Sequence, residues 1–467
     1  MSDPYVEITR CCLVGSWSPS GRLDRARERR SFDPVATVRG VWLFVAVSLL
    51  GLGCAPPALA DEGISTSARP VFEKVRAAVV KVRTLVRGSD THSSTGTGFV
   101  VSNDGMMVTN YHVVSEFVMQ PEIYQLNYET HDHRQGKLEL VAVDVVNDLA
   151  VVKSDLTSVS PLVIRDEAPS RGENGYSLGY PLNQGITITE GTFNGISEDY
   201  FIERFHFTGA LNPGMSGGPA VTADGAVFGV NVSGRRDAEM VNFLVPGRFA
   251  AALLQTARSG GPPVDFAAEL WQQVERHSSR LFQRLHDQEW ETVALGGFQV
   301  PGKLLPGMSC GRSVDVAAEK KYELESNACI LKTDIYINDE LRLNSQSAGY
   351  SWIRNRGLNS FQFANLVENR FRSEVEKSKN KEIYFPVYCL DRIVALKGAR
   401  AKVLLCAAAF RKRPTLSDFH LTAMIMPEVE EALSVTLALS GVTTAAALEF
   451  IDRILGGIQW QPSPSSK

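Results

Sequence analysis

The sequence predicts an all-β barrel or sandwich followed by a separate α+β domain, and three observations support this fold class. Short β-rich runs, separated by Asp-Gly and other turn signals, extend to about Val245 without a long helical pattern. A helical pattern then follows the Gly- and Pro-rich stretch 258–263. Beyond residue 290, strand-like and helix-like stretches are mixed. The length of 467 residues is sufficient for two or three domains.

The composition is that of a folded globular chain. Apolar residues make up 44% and charged residues 21%, which excludes wholesale disorder and a polytopic membrane protein. Lys and Arg total 48 against 52 Asp and Glu, so the formal net charge is −4. Because such a chain lacks the positive field that attracts a phosphate backbone, we expect no nucleic-acid partner.

The N-terminal region has the order of an export signal. Arginines cluster before an uncharged apolar run at 41–54 (VWLFVAVSLLGLGC), and Ala58-Leu59-Ala60 then precedes Asp61. The run is shorter than the ~20 residues that span a bilayer. We therefore expect cleavage near Ala60 and a periplasmic or secreted bacterial protein. Membrane attachment would require an uncleaved signal or a lipid on Cys54.

These patterns divide the chain into five parts. They are an N-terminal extension with a signal peptide (1–60), a β-rich domain (61–257), a linker and helix (258–290), an α+β domain (291–460) and a disordered tail (461–467). In the β-rich domain, strands are predicted over 98–101, 106–109, 138–143, 149–152, 186–188 and 227–232. In the α+β domain, strands are predicted over 330–337, 383–389, 403–410 and 421–425, and helices over 361–378 and 445–455.

Four cysteines fall in the α+β domain: Cys310, Cys329, Cys389 and Cys406. Four cysteines in an exported domain favour two disulfides, for which three pairings exist. The simplest pairing joins Cys310 to Cys329 and Cys389 to Cys406. The alternative is four buried free thiols.

Three polar residues in the β-rich domain have the chemistry of acyl transfer. His112 ends an apolar strand, Asp148 immediately precedes a buried strand, and Ser216 lies in the glycine-rich turn 212–219 (NPGMSGGP). Together they supply a base, an acid that orients the base, and a nucleophile. The glycines allow the loop to turn backbone N–H groups inward, so the N–H groups of Gly214 and Ser216 are candidates for an oxyanion hole.

At these residues the sequence resembles the trypsin-like serine proteases of the HtrA/Deg type. The motifs lie in family order: GTGF at 96–99, DG at 104–105, TNYHVV at 109–114, NDLAV at 147–151, LGYP at 178–181, the serine loop and VNFLVP at 241–246. The resemblance implies a chymotrypsin-like double β-barrel. It places the triad His112, Asp148 and Ser216 in the cleft between the barrels and requires no metal or cofactor.

One feature departs from that family. HtrA-type proteases generally carry a PDZ domain after the protease, and no such domain is recognisable here. The nearest candidate for its carboxylate-binding loop is PGKLLPG at 301–307, whose prolines lack N–H groups that the loop must present. The fold and role of the α+β domain and the oligomeric state are therefore not implied by the resemblance.

The residues before the nucleophile predict an apolar specificity pocket. Ala210 stands where an aspartate would select Lys or Arg, and Leu211 resembles the bulky aliphatic residue of HtrA-type enzymes. On the opposite wall, Asn231, Val232 and Ser233 are expected to pair with the substrate backbone as a β-strand. We therefore expect small to medium aliphatic residues before the scissile bond.

Other candidate sites are weaker. His131-Asp132-His133 has no third ligand at an ordered spacing and indicates a solvated hairpin tip rather than a metal site. Asp144 is an alternative orienting acid to Asp148. The sequence thus predicts an exported serine endopeptidase acting on protein or peptide substrates. The alternative is a pseudoprotease or chaperone-like binding module whose function centres on the C-terminal domain.

Overall fold

The computed structural model describes residues 67–89, 91–198, 200–234, 241–316, 319–371, 380–396, 399–428 and 430–461. The predicted signal peptide, Cys54 and residues 462–467 of the tail lie outside the described residues. Within the described ranges, no helix is both long enough and apolar enough to cross a membrane.

The first half of the structure consists of two closed six-stranded antiparallel barrels. The first contains β1 (Val79–Val86), β2 (His92–Val100), β3 (Met106–Thr109), β4 (Tyr124–Glu129), β5 (Gln135–Asp144) and β6 (Leu149–Lys153), in the order β1-β2-β3-β6-β5-β4. Helix α1 (Ala68–Val75) precedes β1, and α2 (Tyr111–Met119) follows β3. Valine-rich β1 and β6 are buried on both faces for most of their length, because the barrel fills one face and neighbouring helices cover the other.

The second barrel follows directly in the chain. It contains β7 (Asn174–Gly179), β8 (Thr187–Ile196), β9 (Phe205–Phe207), β10 (Pro219–Val221), β11 (Val227–Gly234) and β12 (Asn242–Pro246), in the order β10-β11-β12-β9-β8-β7. Phenylalanines from β8, β9 and β11 fill its interior with edge-to-face ring contacts. The predicted chymotrypsin-like double barrel is confirmed.

Two helices lead to the C-terminal region. These are α3 (Gly247–Gly260) and α4 (Phe266–Asp287), the second of which is capped by Asp265 through the N–H of Ala268. The linker expected from Arg258 is shorter than predicted, because α3 continues to Gly260. Helix α3 ends before Gly261, whose φ is 65° and which is followed by prolines.

The C-terminal region is built on a seven-stranded antiparallel sheet. In chain order its elements are β13 (Thr292–Leu295), β14 (Phe298–Pro301), β15 (Ser309–Asp315), β16 (Tyr322–Asn338), β17 (Leu341–Asn355), α5 (Ser360–Phe371), β18 (Tyr388–Leu396), β19 (Ala399–Phe410), β20 (Arg413–Glu428), β21 (Glu431–Thr443), α6 (Thr444–Gly456) and β22 (Gln459–Trp460). The large sheet has the order β15-β16-β17-β21-β20-β19-β18, and β13-β14-β22 form a small second sheet. This antiparallel sheet with its own helices is the expected α+β class.

One element of this region differs from the sequence predictions. The strand expected over 383–389 begins only at Tyr388, because Pro386 lacks the N–H that a strand interior needs. Tyr384 makes an isolated bridge to Phe410 instead. The helix expected over 361–378 is present over Ser360–Phe371, and the rest of that predicted range lies outside the described residues.

The structure joins the four cysteines in the simplest of the three pairings. Cys310 faces Cys329 across β15 and β16, and Cys389 faces Cys406 across β18 and β19. One disulfide therefore lies at each edge of the seven-stranded sheet, where a strand has a neighbour on one side only.

The β16–β17 hairpin extends from the C-terminal sheet to the barrels, and we call its residues 332–343 the cleft hairpin. Ile335, Ile337, Leu341 and Leu343 on this segment are buried in the same hydrophobic cluster as the first barrel. Residues of α4 and the β19–β20 end of the sheet belong to this cluster as well. The two regions therefore share one core.

Candidate active site

His112 is positioned by the junction between β3 and α2. Asn110 is extended, with φ −82° and ψ 151°, and α2 begins at Tyr111. Tyr111 is fully buried, which fixes the first turn of the helix against the barrel. His112 therefore projects from the first turn of a short, anchored helix.

Asp148 contacts His112 through both carboxylate oxygens. Its Oδ2 lies 2.7 Å from His112 Nδ1, and its Oδ1 accepts the His112 backbone N–H at 2.9 Å. The second bond satisfies an N–H in the first turn of α2, where a negative charge is also favoured by the helix dipole. Asp144, the alternative acid, instead accepts from the backbone N–H and side-chain amide of Asn147.

Asp148 adopts a backbone conformation that is uncommon for a residue with a side chain, with φ 62°. Asn110 Nδ2 donates to the Asp148 carbonyl oxygen at 2.7 Å and holds this conformation from the backbone side. Sequence reasoning assigned no role to Asn110. Its position two residues before His112, at the end of a buried strand, is the only signal that could have indicated one.

Two opposing effects set the pKa of His112. Burial of the imidazole lowers the pKa, whereas the charge of Asp148 and its hydrogen bond raise it. On the cleft hairpin, Arg342 lowers the pKa of His112 and Asp339 raises it. The net result is a pKa above the ordinary histidine value, so the imidazolium is stabilised.

The serine loop depends on two glycines with positive φ. Gly214 has φ 97° and Gly217 has φ 84°, and a Cβ on either residue would lie 2.3 Å from a backbone carbonyl oxygen. Among the described residues, the N–H groups of Gly214 and Ser216 donate to no internal acceptor. Both donors are therefore available to a bound group.

Ser216 and the two other triad candidates line a single cavity of about 940 Å³. The Ser216 hydroxyl donates to the Val232 carbonyl oxygen at 3.2 Å. Leu211 and Val232 line this cavity, while Ala210 is exposed and does not belong to the lining.

The backbone of Asn231 is hydrogen-bonded to the serine loop. Its backbone N–H donates to Gly218 O and its carbonyl accepts from Gly217 N, both at 2.8 Å. Its side chain is also engaged, donating to Leu178 O and Met215 O. Asn231 therefore anchors the serine loop and also lines the cavity. Its N–H is already used, while its carbonyl oxygen keeps a second lone pair, so pairing of a substrate strand with Asn231, Val232 and Ser233 stays a prediction.

The cavity also contains residues that the sequence did not indicate. Thr333, Tyr336, Asp339 and Arg342 of the cleft hairpin line it together with His112 and Ser216. By contrast, residues 131–133 form the turn between β4 and β5, where His133 is exposed and pairs with Glu129.

Comparison with known proteins agrees with this arrangement. Residues 96–230 match the family described as the trypsin-like peptidase domain. This part of the chain is therefore similar to the trypsin-like peptidase domain. This domain includes His112, Asp148 and Ser216, and the resemblance to the HtrA type is confirmed.

Curated relatives of the chain include bacterial proteins. The protein from Halomonas elongata named "probable periplasmic serine endoprotease DegP-like" is 32% identical over 148 residues, which cover 31% of this chain and 30% of the relative. A protein of the same name from Chlamydia muridarum is 30% identical, covering 36% of this chain and 34% of the relative. The chain thus spans about a third of the length of these relatives.

Solved structures are also similar to part of the chain. The serine endoprotease from Yersinia pestis is 26% identical, with a TM-score of 0.38, and the match covers 43% of this chain and 70% of that one. The two closed barrels themselves establish the fold of the trypsin-like domain.

Proposed function

We propose that this protein is an exported serine endopeptidase that hydrolyses peptide bonds of protein substrates. The observation that carries the proposal is the contact of His112 Nδ1 with Asp148 Oδ2 at 2.7 Å, in a cavity that also contains Ser216. This contact leaves the other imidazole nitrogen for a proton transfer within the cavity.

In the proposed reaction, Ser216 Oγ attacks the substrate carbonyl carbon while His112 Nε2 takes its proton. The Ser216 side chain must first leave the Val232 carbonyl and turn towards His112. Asp148 holds the imidazole and stabilises its charged form. The N–H groups of Gly214 and Ser216 stabilise the oxyanion. His112 then protonates the leaving amine, and water hydrolyses the acyl-enzyme by the same proton transfers in reverse.

The specificity pocket supports a preference for small to medium aliphatic residues before the scissile bond. Leu211 and Val232 contribute apolar walls, and Phe243 also lines the cavity. A charged residue entering such a pocket unpaired would cost several kcal/mol. Mass spectrometry of casein fragments tests this preference, and a dominance of Lys, Arg, Asp or Glu at the cleaved position would contradict it.

Export is proposed from the signal-like sequence before Asp61 and from relatives whose names include "periplasmic". N-terminal sequencing of the protein from fractionated bacterial cells tests it. An intact N-terminus in the cytosolic fraction would exclude cleavage near Ala60.

The decisive experiment compares the wild type with Ser216→Ala on unfolded casein, and adds a fluorophosphonate probe that labels activated serines. We expect cleavage and labelling by the wild type and neither by the variant. Cleavage by both proteins would identify a contaminant or another nucleophile. Cleavage by neither, without labelling, would favour the alternative of a binding module.

A further inference from the structure

The cleft hairpin of the C-terminal sheet crosses from one barrel to the other beside the triad candidates. At its tip, Tyr111 of the first barrel donates its hydroxyl to the Ile337 carbonyl oxygen at 2.7 Å. At its base, the N–H of Phe201, in the loop between β8 and β9 of the second barrel, lies 3.5 Å from the Lys332 carbonyl oxygen. A segment more than 100 residues after Ser216 in the sequence is thus attached on both sides of the cavity.

The cleft hairpin is a fixed wall rather than a lid. Its inward face carries Ile335, Ile337, Leu341 and Leu343, each less than 9% exposed and packed in the barrel core. Lifting the hairpin would expose all four side chains and break the buried bond from Tyr111. Whatever binds in the cavity must therefore fit beside the opposite face of the hairpin.

That opposite face is organised around Tyr336. Its ring meets the His112 imidazole edge-on, with centroids 6.0 Å apart, and its hydroxyl donates to Asp339 Oδ1 at 2.8 Å. Arg342 is directly opposite Tyr336 in the strand register, and its guanidinium lies 5.0 Å from the ring centroid. The cation–π contact holds Arg342 at the cavity.

The charged groups at this wall differ in what they already bind. Asp339 accepts the Tyr336 hydroxyl, and Glu116 of α2 accepts the Ser93 hydroxyl. Arg342 is exposed, and its guanidinium donates to no acceptor and pairs with no carboxylate among the described residues. It therefore presents unused donors in a geometry that suits a carboxylate.

A substrate strand would bring one particular side chain to this wall. If the substrate pairs with Val232 and Ser233, consecutive side chains point to opposite faces of that strand. The residue before the scissile bond then enters the pocket beside Leu211 and Val232. The residue one position earlier points the other way, towards His112 and Tyr336.

We propose that Arg342 binds an acidic side chain at the second position before the scissile bond, so that the C-terminal sheet sets part of the substrate specificity. This inference rests on the proposed peptidase function. Its test, however, uses peptide binding to a variant that cannot cleave, so that the inference about Arg342 and the proposed peptidase function can fail separately.

The experiment measures fluorescence anisotropy of labelled peptides with the full chain carrying Ser216→Ala. Three peptides are identical, with Val before the scissile bond, except that the preceding residue is Glu, Gln or Lys. We expect the Glu peptide to bind about two- to fivefold more tightly than the Gln peptide, as for a partly exposed ion pair. Adding Arg342→Gln should abolish the difference, and Arg342→Glu should favour the Lys peptide.

Arg392→Gln is the matched control. It removes the same charge from β18, which is separated from β16 by four strands in the sheet order, and should leave the preference unchanged. Equal binding of the Glu and Gln peptides, or a preference for Lys through Asp339 and Glu116, would overturn the proposal. A preference for Glu that survives Arg342→Gln would also overturn it. Loss of casein cleavage by the wild type would instead count against the peptidase function.

Discussion

Asn110→Ala tests whether the backbone of Asp148 must be held for His112 to act. Asn110 Nδ2 donates to the Asp148 carbonyl oxygen at 2.7 Å, and the donor is fully buried. In Asn110→Ala the Asp148 carbonyl oxygen loses this donor, so the backbone of Asp148 can relax from its φ of 62°. We expect the carboxylate then to lose its two-point contact with His112.

The expected size follows from the bond that is lost. Leaving a buried acceptor unsatisfied costs about 1–3 kcal/mol. If the whole loss appears in the transition state, kcat/KM falls by roughly 5- to 150-fold, since about 1.4 kcal/mol corresponds to a factor of ten. Any part of the loss that is already present in the free enzyme should lower the free energy of unfolding and leave kcat/KM unchanged. In the pH dependence of kcat/KM, the apparent pKa of the acid limb should also fall, because Asp148 then holds the His112 proton less strongly.

The assay is the pH dependence of kcat/KM on a quenched fluorescent peptide, together with urea unfolding. Asn127→Ala is the control, because it removes an amide from β4 of the same barrel at a position that does not line the cavity. If Asn110→Ala lost stability but kept kcat/KM within twofold and an unchanged pH profile, the amide would be structural and the positioning role would be wrong.

Three further predictions concern other parts of the molecule. The effect of Asp148 outweighs that of burial and raises the pKa of His112, so kcat/KM should rise with pH to a half-maximum above about 6.5. A midpoint below 6 in the wild type would contradict this expectation. Asp148→Asn should lower the midpoint and reduce kcat by about 10⁴-fold. The disulfides close chain separations of 19 and 17 residues and should each contribute about 3 kcal/mol to the free energy of unfolding, so a reductant should lower the calorimetric Tm. Four titratable thiols in the unreduced denatured protein would disprove the two disulfides. Tyr111→Phe should lower the free energy of unfolding by about 1–3 kcal/mol, because the Ile337 carbonyl oxygen loses its hydrogen-bond donor. An unchanged urea midpoint would count against this bond.

Local chemistry made the barrels and the cavity residues predictable from the sequence. His112, Asp148 and Ser216 each stand at a strand end or in a glycine-rich turn, where a polar residue beside buried strands needs a partner. The order of the motifs then indicated how the chain would bring them together. Similarly, Cys310 and Cys329 are close enough in sequence for one hairpin to place them opposite each other.

The hydrogen bonds that the Asn231 backbone makes to the serine loop could not be predicted from the sequence. A strand residue has one N–H and one carbonyl, and the sequence does not show whether a neighbouring loop already uses both. Here the serine loop uses both, through Gly217 and Gly218. The strand expected over 383–389 differs for a comparable reason, since a single proline outweighs an otherwise favourable apolar run.

The cleft hairpin could not be predicted because its environment is set by contacts distant in sequence. Ile335 and Ile337 have the pattern of any buried strand, and nothing in their spacing distinguishes a core within the C-terminal sheet from the core of the barrels. Once they are buried there, Tyr336 and Arg342 must face the cavity, because neighbouring strand positions point to opposite sides. The same packing that joins the two regions therefore places a tyrosine and an arginine from the C-terminal sheet beside His112.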